Sequence, residues 1–363
     1  MNPPMCRSKL GKKYDLVHIP SSLPLRAQVK HWQHYCLVWT DGEGISSFTY
    51  LAHMPLRRKP TDRADVPGMD LLREIIEDLQ GFFLPVSHWE SILFPTRQLS
   101  YRKQDLDTLC SSGEIVWIGR KEPKEKEGRI AFFLAESSTL FEPCLAIVNH
   151  RPASHPELLR LLQEKGAIFL SKLGIETGRP PSSLLEELFQ LVWDGQAAND
   201  QFAPLRLHAA GISKKQDKFK SGLGRWYSLD TLLSPAFDKQ SSAMQWTHHL
   251  LARFGIITKD LVSGLCPFPW EAIQTALRQL EEWGLVVRGF FITDLHALQF
   301  ATREFIALLH QHAANTPESQ QKFNLLSAAD PANPFGLLLP WPEVTGISFS
   351  RKSGNYLALK GNQ

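Results

Sequence analysis

Leu277-Arg278-Gln279-Leu280-Glu281-Glu282-Trp283-Gly284-Leu285-Val286-Val287 is the stretch on which the fold turns: an apolar helical run stops at a glycine and a β-prone run begins at once. The chain repeats the pattern twice more. Leu106-Asp107-Thr108-Leu109-Cys110-Ser111-Ser112-Gly113-Glu114-Ile115-Val116-Trp117 and Leu188-Phe189-Gln190-Leu191-Val192-Trp193-Asp194-Gly195-Gln196-Ala197-Ala198 place the glycine at the same point. Glycine just past the last apolar turn can take the left-handed conformation that closes a helix. The copies lie about one small domain apart, so the chain reads as a tandem array.

A helix that passes directly into a strand is how the recognition helix of a winged helix meets its wing. Working outward, the first copy shows Leu71, Leu72, Ile75, Ile76 and Leu79 at helical spacing, closed by Gly81. A second short helix is expected from Val86 to Leu93, ended by Pro95, and a third from Tyr101 to Cys110, capped by Ser100. Glu114 to Ile118 and Ile130 to Leu134 are strand-like and flank the polar loop Lys121 to Gly128, long enough to be a wing. In the second copy, helices are expected from Pro156 to Gly166, Ala167 to Leu173 and Ser183 to Asp194, with a long polar loop before Arg225. In the third, Trp246, Leu250, Leu251 and Phe254 mark one helix, and Pro269 opens Trp270 to Trp283 at the favoured first position. Its wing is expected as Leu285–Val287 and Phe290–Ile292 around Arg288-Gly289, followed by a helix from Arg303 to His312. Ser348 to Leu359 reads as a strand without a partner.

Composition bounds the chemistry. The 363 residues are 43% hydrophobic and 21% charged, ordinary for globular protein, and leave room for several domains. A net charge of +3 means that any contact with nucleic acid must come from local basic patches. The five cysteines include no C-x-x-C pair, which argues against structural zinc and a disulfide framework and suits a cytoplasmic location. No apolar run approaches the roughly 20 residues of a membrane span. There is no G-x-x-x-x-G-K-[ST] phosphate loop, so no ATPase motor is expected. The pairs His248-His249 and His310/His312 lack helical ligand spacing, so neither metal nor cofactor is expected.

In a helix-turn-helix the start of the third helix approaches the groove. There the first copy carries Arg97, Arg102 and Lys103, with a solvated helix end as the alternative reading. The third copy presents Glu271, Gln274, Thr275 and Arg278, and its acidic start suits packing better than phosphate. The densest basic cluster is Lys214, Lys215, Lys218, Lys220 and Arg225, beside Trp226, a candidate for base stacking or for packing between wing and core. Asp200 and Asp330 are the candidate catalytic carboxylates, each also at a place where a turn would use one.

Specific phrases carry a family resemblance. Phe189-Gln190-Leu191-Val192-Trp193-Asp194-Gly195, Ala203-Pro204-Leu205-Arg206, Gly224-Arg225-Trp226 and Arg253-Phe254-Gly255-Ile256-Ile257-Thr258 resemble the C-terminal region of Lhr-type (large helicase-related) superfamily-2 DNA helicases. So do Ala328-Ala329-Asp330-Pro331-Ala332-Asn333-Pro334-Phe335-Gly336 and Leu339-Pro340-Trp341-Pro342, the resemblance covering roughly 68–360. It implies an α+β architecture of tandem winged-helix domains followed by an incomplete β-barrel-like module, lacking the ATPase motor. The expected divisions are an irregular segment 1–65, winged helices over 66–150, 151–235 and 236–316, and a truncated β module over 317–363. The region is also similar to winged-helix glycosylases that unhook DNA crosslinks, although their Gln-x-Gln pair is absent here. The function implied is a DNA-binding accessory module of a helicase and repair system, acting on single-stranded, forked or damaged DNA. The alternatives are a glycosylase acting on a flipped base and a docking module for a separately encoded helicase motor.

Overall fold

The computed structural model describes residues 45–46, 50–51, 54–55, 68–148, 152–209, 224–293, 295–314, 323–341, 348–352 and 354–360. These divide into two compact units: those within Lys59–Trp246 together with Leu265–Pro267, and those within the remainder.

The first unit opens with α1 (Gly68–Asp78), which buries Leu71, Leu72, Ile75 and Ile76. β1 (Leu84–Pro85) leads into α2, a continuous helical run over 86–97. Pro95 does not end this helix. Trp89–Leu93 widens into a π turn in which the Phe94 amide reaches back to the Trp89 carbonyl, and Thr96 Oγ1 donates to the Ile92 carbonyl at 2.7 Å. The wider turn accommodates the proline ring and its missing donor. α3 (Lys103–Ser111) begins two residues later than expected, with Arg102 rather than Ser100 at its N-cap. β2 (Ile115–Arg120) and β3 (Arg129–Leu134) follow as an antiparallel hairpin, and the sheet order is β1–β3–β2. Helix α4 (Ser138–Val148) follows.

The same order then recurs. α5 (Pro156–Lys165), β4 (Ile168–Phe169), α6 (Leu170–Thr177), α7 (Pro181–Trp193), β5 (Ala197–Asn199) and β6 (Arg225–Ser228) form a sheet ordered β4–β6–β5. The sequence pattern predicts Ile168 and Phe169 to be helical. Their pairing with Trp226 and Arg225 draws them into the sheet instead, and the helix starts at Leu170. An additional helix, α8 (Ala203–Ala209), interrupts the hairpin after β5.

α9 (Lys239–Phe254) carries the chain across the division between Trp246 and Thr247. β7 (Ile256–Ile257), α10 (Lys259–Leu265), α11 (Trp270–Glu282), β8 (Val286–Gly289) and β9 (Gln299–Thr302) repeat the topology as β7–β9–β8, with α12 (Arg303–Ala314) behind. The expected turn at Arg288-Gly289 is not there. β8 runs through both residues, and Gly289 pairs with Gln299. The buried Gln299 side chain explains why Phe290–Ile292 cannot be the return strand. Its Oε1 accepts the Phe291 and Ile292 amides at 3.1 and 2.9 Å, and its Nε2 donates to the Leu295 carbonyl at 2.9 Å. Ile45 bridges to Ile292, and the Tyr50 hydroxyl donates to the Phe254 carbonyl at 2.7 Å. Residues at 45–54, read from sequence as an irregular segment, thus contribute buried Ile45, Tyr50, Leu51 and Met54 to this second unit.

β10 (Phe323–Ser327) and β11 (Tyr356–Lys360) form an antiparallel pair, so the strand expected to be unpaired has a partner. Among the described residues these two strands do not close into a barrel. No described helix is long and apolar enough to cross a membrane.

The three repeated glycines end their helices identically. Gly113, Gly195 and Gly284 have φ of 81°, 75° and 75°. In each case the amide after the glycine reaches the carbonyl five residues back: Glu114 to Leu109 at 3.2 Å, Gln196 to Leu191 at 2.9 Å, Leu285 to Leu280 at 3.0 Å. The glycine amide itself bonds three residues back, completing the Schellman arrangement. A methyl group on Gly113 or Gly284 would meet no atom within 4 Å. Replacing either by alanine therefore tests backbone conformation alone. We expect Gly113→Ala and Gly284→Ala each to lower stability by about 1–2 kcal/mol in urea unfolding, with Asn at the same position costing less.

Candidate nucleic-acid interface

The turn between α2 and α3 places cations at the surface of the first winged helix. Gln98 is buried, accepts the Tyr101 amide at 3.1 Å through its carbonyl and donates from Nε2 to the Gly68 carbonyl at 2.9 Å. Tyr101 stacks on Phe94 at 5.1 Å and its hydroxyl donates to Glu90 at 2.7 Å. Burial, then the nearby Glu90 charge, raises the Tyr101 pKa far above its ordinary value, so the phenol stays protonated as a donor. Between these anchors Leu99 and Ser100 stand in solvent. Arg97, one step before, is half-buried and donates to the Leu93 carbonyl at 3.4 Å.

Arg102 pairs bidentately with Asp105, Nε to Oδ2 at 3.0 Å and Nη2 to Oδ1 at 2.8 Å, while its side chain remains 70% exposed. Asp105 in the first turn also suits the positive end of the helix dipole. Lys103 and Gln104 lie exposed at the helix start, with Thr108 and Ser111 further along.

The wing adds residues that the sequence pattern does not single out. Its loop alternates acid and base, which from sequence looks neutral. In the fold, Glu127 accepts from the Ser87 amide and hydroxyl at 2.6 and 2.8 Å, and Glu125 pairs with Arg129 at 2.6 Å. Lys121, Lys124 and Lys126 are exposed. With Glu122 the one exposed carboxylate of the loop, the wing turns more positive charge than negative toward solvent, and the 40-residue separation of Ser87 and Glu127 hides part of this from sequence.

The second copy uses its third helix differently. α7 packs against β2 of the first copy. The Lys121 amide donates to the Trp193 carbonyl at 3.2 Å, and a Cβ on Gly119 would sit 2.7 Å from the Val192 carbonyl oxygen. The outward positions of α7 are Ser182, Glu186 and Gln190, with Glu187 paired to Arg179 and 3.5 Å from His155. Such a face offers no exposed cation of its own.

Of the basic cluster near this wing, Lys214, Lys215, Lys218 and Lys220 lie outside the described residues. Arg225 is exposed and tied to Asp200, whose carboxylate accepts both its amide and its Nε at 2.6 Å. Trp226 is 1% exposed and meets Phe189 edge-on at 5.5 Å, so of its two sequence readings the structure shows packing. The alternation of β6 explains this: Arg225 faces out and Trp226 in.

A residue that the sequence marks only within a family-like phrase, with no role assigned, joins the two copies. Arg206 of α8 donates from Nε and Nη2 to both Glu90 oxygens at 2.7 and 2.8 Å, and from Nη1 to Asp107 at 3.1 Å. Asp107 also accepts the Phe202 and Ala203 amides, each at 2.9 Å, capping α8 from the preceding repeat. Burial alone would weaken the guanidinium's hold on its proton, but the bonds to Glu90 and then Asp107 outweigh it and raise the Arg206 pKa.

In the third copy, Glu271, Thr275 and Arg278 are exposed on α11, and Arg288 pairs with Glu281 at 3.1 Å. Beyond it, Asp330 is 3% exposed, and its Oδ1 accepts the Ala332 amide at 2.8 Å within its own turn. Arg351 donates to the Asp330 and Phe335 carbonyls at 2.9 and 3.0 Å and to that of Asn333. Its pKa is brought down to about 10 by burial, which the Asp330 charge opposes.

The described architecture is that of a winged-helix protein. Residues 45–135 and 236–321 each match the winged-helix domain of the large helicase-related protein. The chain is 29% identical over 331 residues to the Lhr helicase/uracil glycosylase of Escherichia coli (strain K12), covering 82% of this chain and 21% of that protein. It is 28% identical over 349 residues to the Lhr helicase/probable uracil glycosylase of Mycolicibacterium smegmatis, covering 87% and 23%. Two stretches of the chain thus resemble Lhr winged-helix domains, and the chain spans about a fifth of the length of the curated relatives it matches.

Removing the Arg206 guanidinium would leave two carboxylates largely out of solvent without their cation. Arg206→Met is expected to destabilise the first unit by about 3 kcal/mol in denaturant unfolding. Arg206→Lys should recover only part of that, because an ammonium cannot grip Glu90 bidentately.

Proposed function

We propose that this chain is a DNA-binding accessory module of an Lhr-type helicase and repair system, acting without an ATPase motor of its own. The first winged helix supplies the main grip. The observation that carries the reading is that Lys103, Lys121, Lys124 and Lys126, with the Asp105-paired Arg102, are exposed in the first winged helix, while Glu125 and Glu127 are occupied internally and Glu122 is the one exposed wing-loop carboxylate. Arg97 supports the same surface, and Lys214, Lys215, Lys218, Lys220 and Arg225 extend the basic character along the chain. Single-stranded, forked or damaged DNA are the substrates in this reading. A separately encoded helicase motor is the protein partner in this reading, and the cytoplasmic nucleoid is its location.

The test is fluorescence anisotropy with labelled single-stranded, duplex and forked DNA across a salt series. Affinity is expected to fall steeply with salt. The Lys121→Ala/Lys124→Ala/Lys126→Ala variant should make the log–log salt dependence shallower by about 0.9 for each duplex phosphate that no longer meets a lysine. An unchanged slope in that variant, and in one lacking Lys214, Lys215, Lys218 and Lys220, would remove the reading in favour of protein docking.

The names of the two relatives favour a second reading, a uracil-directed glycosylase. Its candidate carboxylates are Asp200 and Asp330. Abasic sites should then form in uracil-containing DNA and vanish in Asp200→Asn or Asp330→Asn. Failure of the wild-type chain to produce them eliminates this second reading.

A further inference from the structure

At 87%, Leu99 is the most exposed large apolar side chain among the described residues. Its setting distinguishes it from an ordinary surface leucine. It occupies the tight turn closed by the Tyr101 amide on the Gln98 carbonyl, where glycine, asparagine or aspartate would serve the backbone as well. Both ends of that turn are pinned. Gln98 is buried and bonded to Gly68, and Tyr101 is held by Glu90 and by stacking on Phe94. The leucine is thus presented at a fixed position, with little entropy left to lose on binding.

The surrounding charge selects the partner. Arg97, Arg102 and Lys103 lie within four residues of Leu99, and the nearest carboxylate along the chain, Asp105, is buried and already bonded to Arg102. Cations on both sides of Leu99 in the chain suit phosphates, with Lys103 exposed, Arg102 exposed though paired with Asp105 and Arg97 half-buried, and an exposed apolar side chain between them suits the face of a base. The other highly exposed aliphatic residue, Ile175 at 83%, lacks this setting: its neighbour is Glu176, which is paired with Lys165.

We propose that Leu99 is an apolar wedge that enters DNA at an unstacked or mispaired base step while Arg97, Arg102 and Lys103 hold the adjoining phosphates. This rests on the DNA-binding reading above and adds the element that discriminates between DNA structures. Leucine inserted between bases costs unstacking, and that cost is least where pairing is already broken. Weakly paired DNA is therefore favoured over matched duplex.

The test uses the full chain with two duplexes of equal length, one matched and one holding a central mismatch beside 2-aminopurine. The wild type should bind the mismatched duplex roughly tenfold more tightly and raise 2-aminopurine fluorescence. Leu99→Ala should keep the matched-duplex affinity and salt slope but lose both the preference and the fluorescence rise, while Leu99→Met retains them. Arg102→Ala/Lys103→Ala should do the converse, lowering the slope on both duplexes. Circular dichroism of each variant checks the fold, which a solvent-facing leucine does not hold together. Retention of preference by Leu99→Ala overturns the wedge, as does wild-type binding without preference, and both leave DNA binding standing. Absence of any wild-type binding overturns the DNA reading and the wedge together.

Discussion

The guanidinium of Arg206 sets the geometry of the first unit. It satisfies Glu90 from α2 and Asp107 from α3, so the two helices of one helix-turn-helix are tied to the helix inserted in the wing of the next. Around it lies the apolar contact that makes the arrangement dry: Phe202 meets Phe132 at 5.2 Å and Trp117 edge-on at 6.3 Å. The ions are tolerable there because each carboxylate has several donors, the condition under which buried charge is compatible with stability. The burial that raises the pKa of the nearby Cys110 thiol also keeps that sulfur an inert part of the core.

This junction decides which surfaces remain for a partner. α7 is partly covered by β2, and its exposed positions are neutral or acidic. The α2–α3 turn and the first wing stay open, and both present cations. Three helix-to-strand repeats therefore do not make three equal surfaces. A chain with net charge +3 still exposes locally basic surface because its carboxylates are disposed of unevenly, as with Glu125 against Arg129 and Glu127 against Ser87.

Features legible in the sequence were those with local causes. The helix-closing glycines needed only hydrogen bonds spanning five residues, and the amphipathic spacing of Leu71, Leu72, Ile75 and Ile76 fixed a helix face. Failures came where distant residues competed. Ile168 and Phe169 look helical until Trp226 and Arg225 offer strand bonds. Phe290–Ile292 looks like a return strand until the Gln299 side chain takes its amides. Trp226 beside a lysine-rich stretch invites a stacking role, yet the period of two along β6 already assigns it inward. Arg206 leaves no periodic signal, since an ion pair across 116 residues has none.

The sequence by itself determined three helix-to-strand units, their order, the glycine that closes the helix of each and the resemblance to Lhr-type C-terminal regions. These follow from backbone conformation and short-range bonding, which a few neighbouring residues control. Only the tertiary structure decided which charges face solvent, which aromatic residues are core, and which recognition helix is left open. Those outcomes depend on desolvation and on partners far apart in the chain, and burial sets both only once the domains have packed.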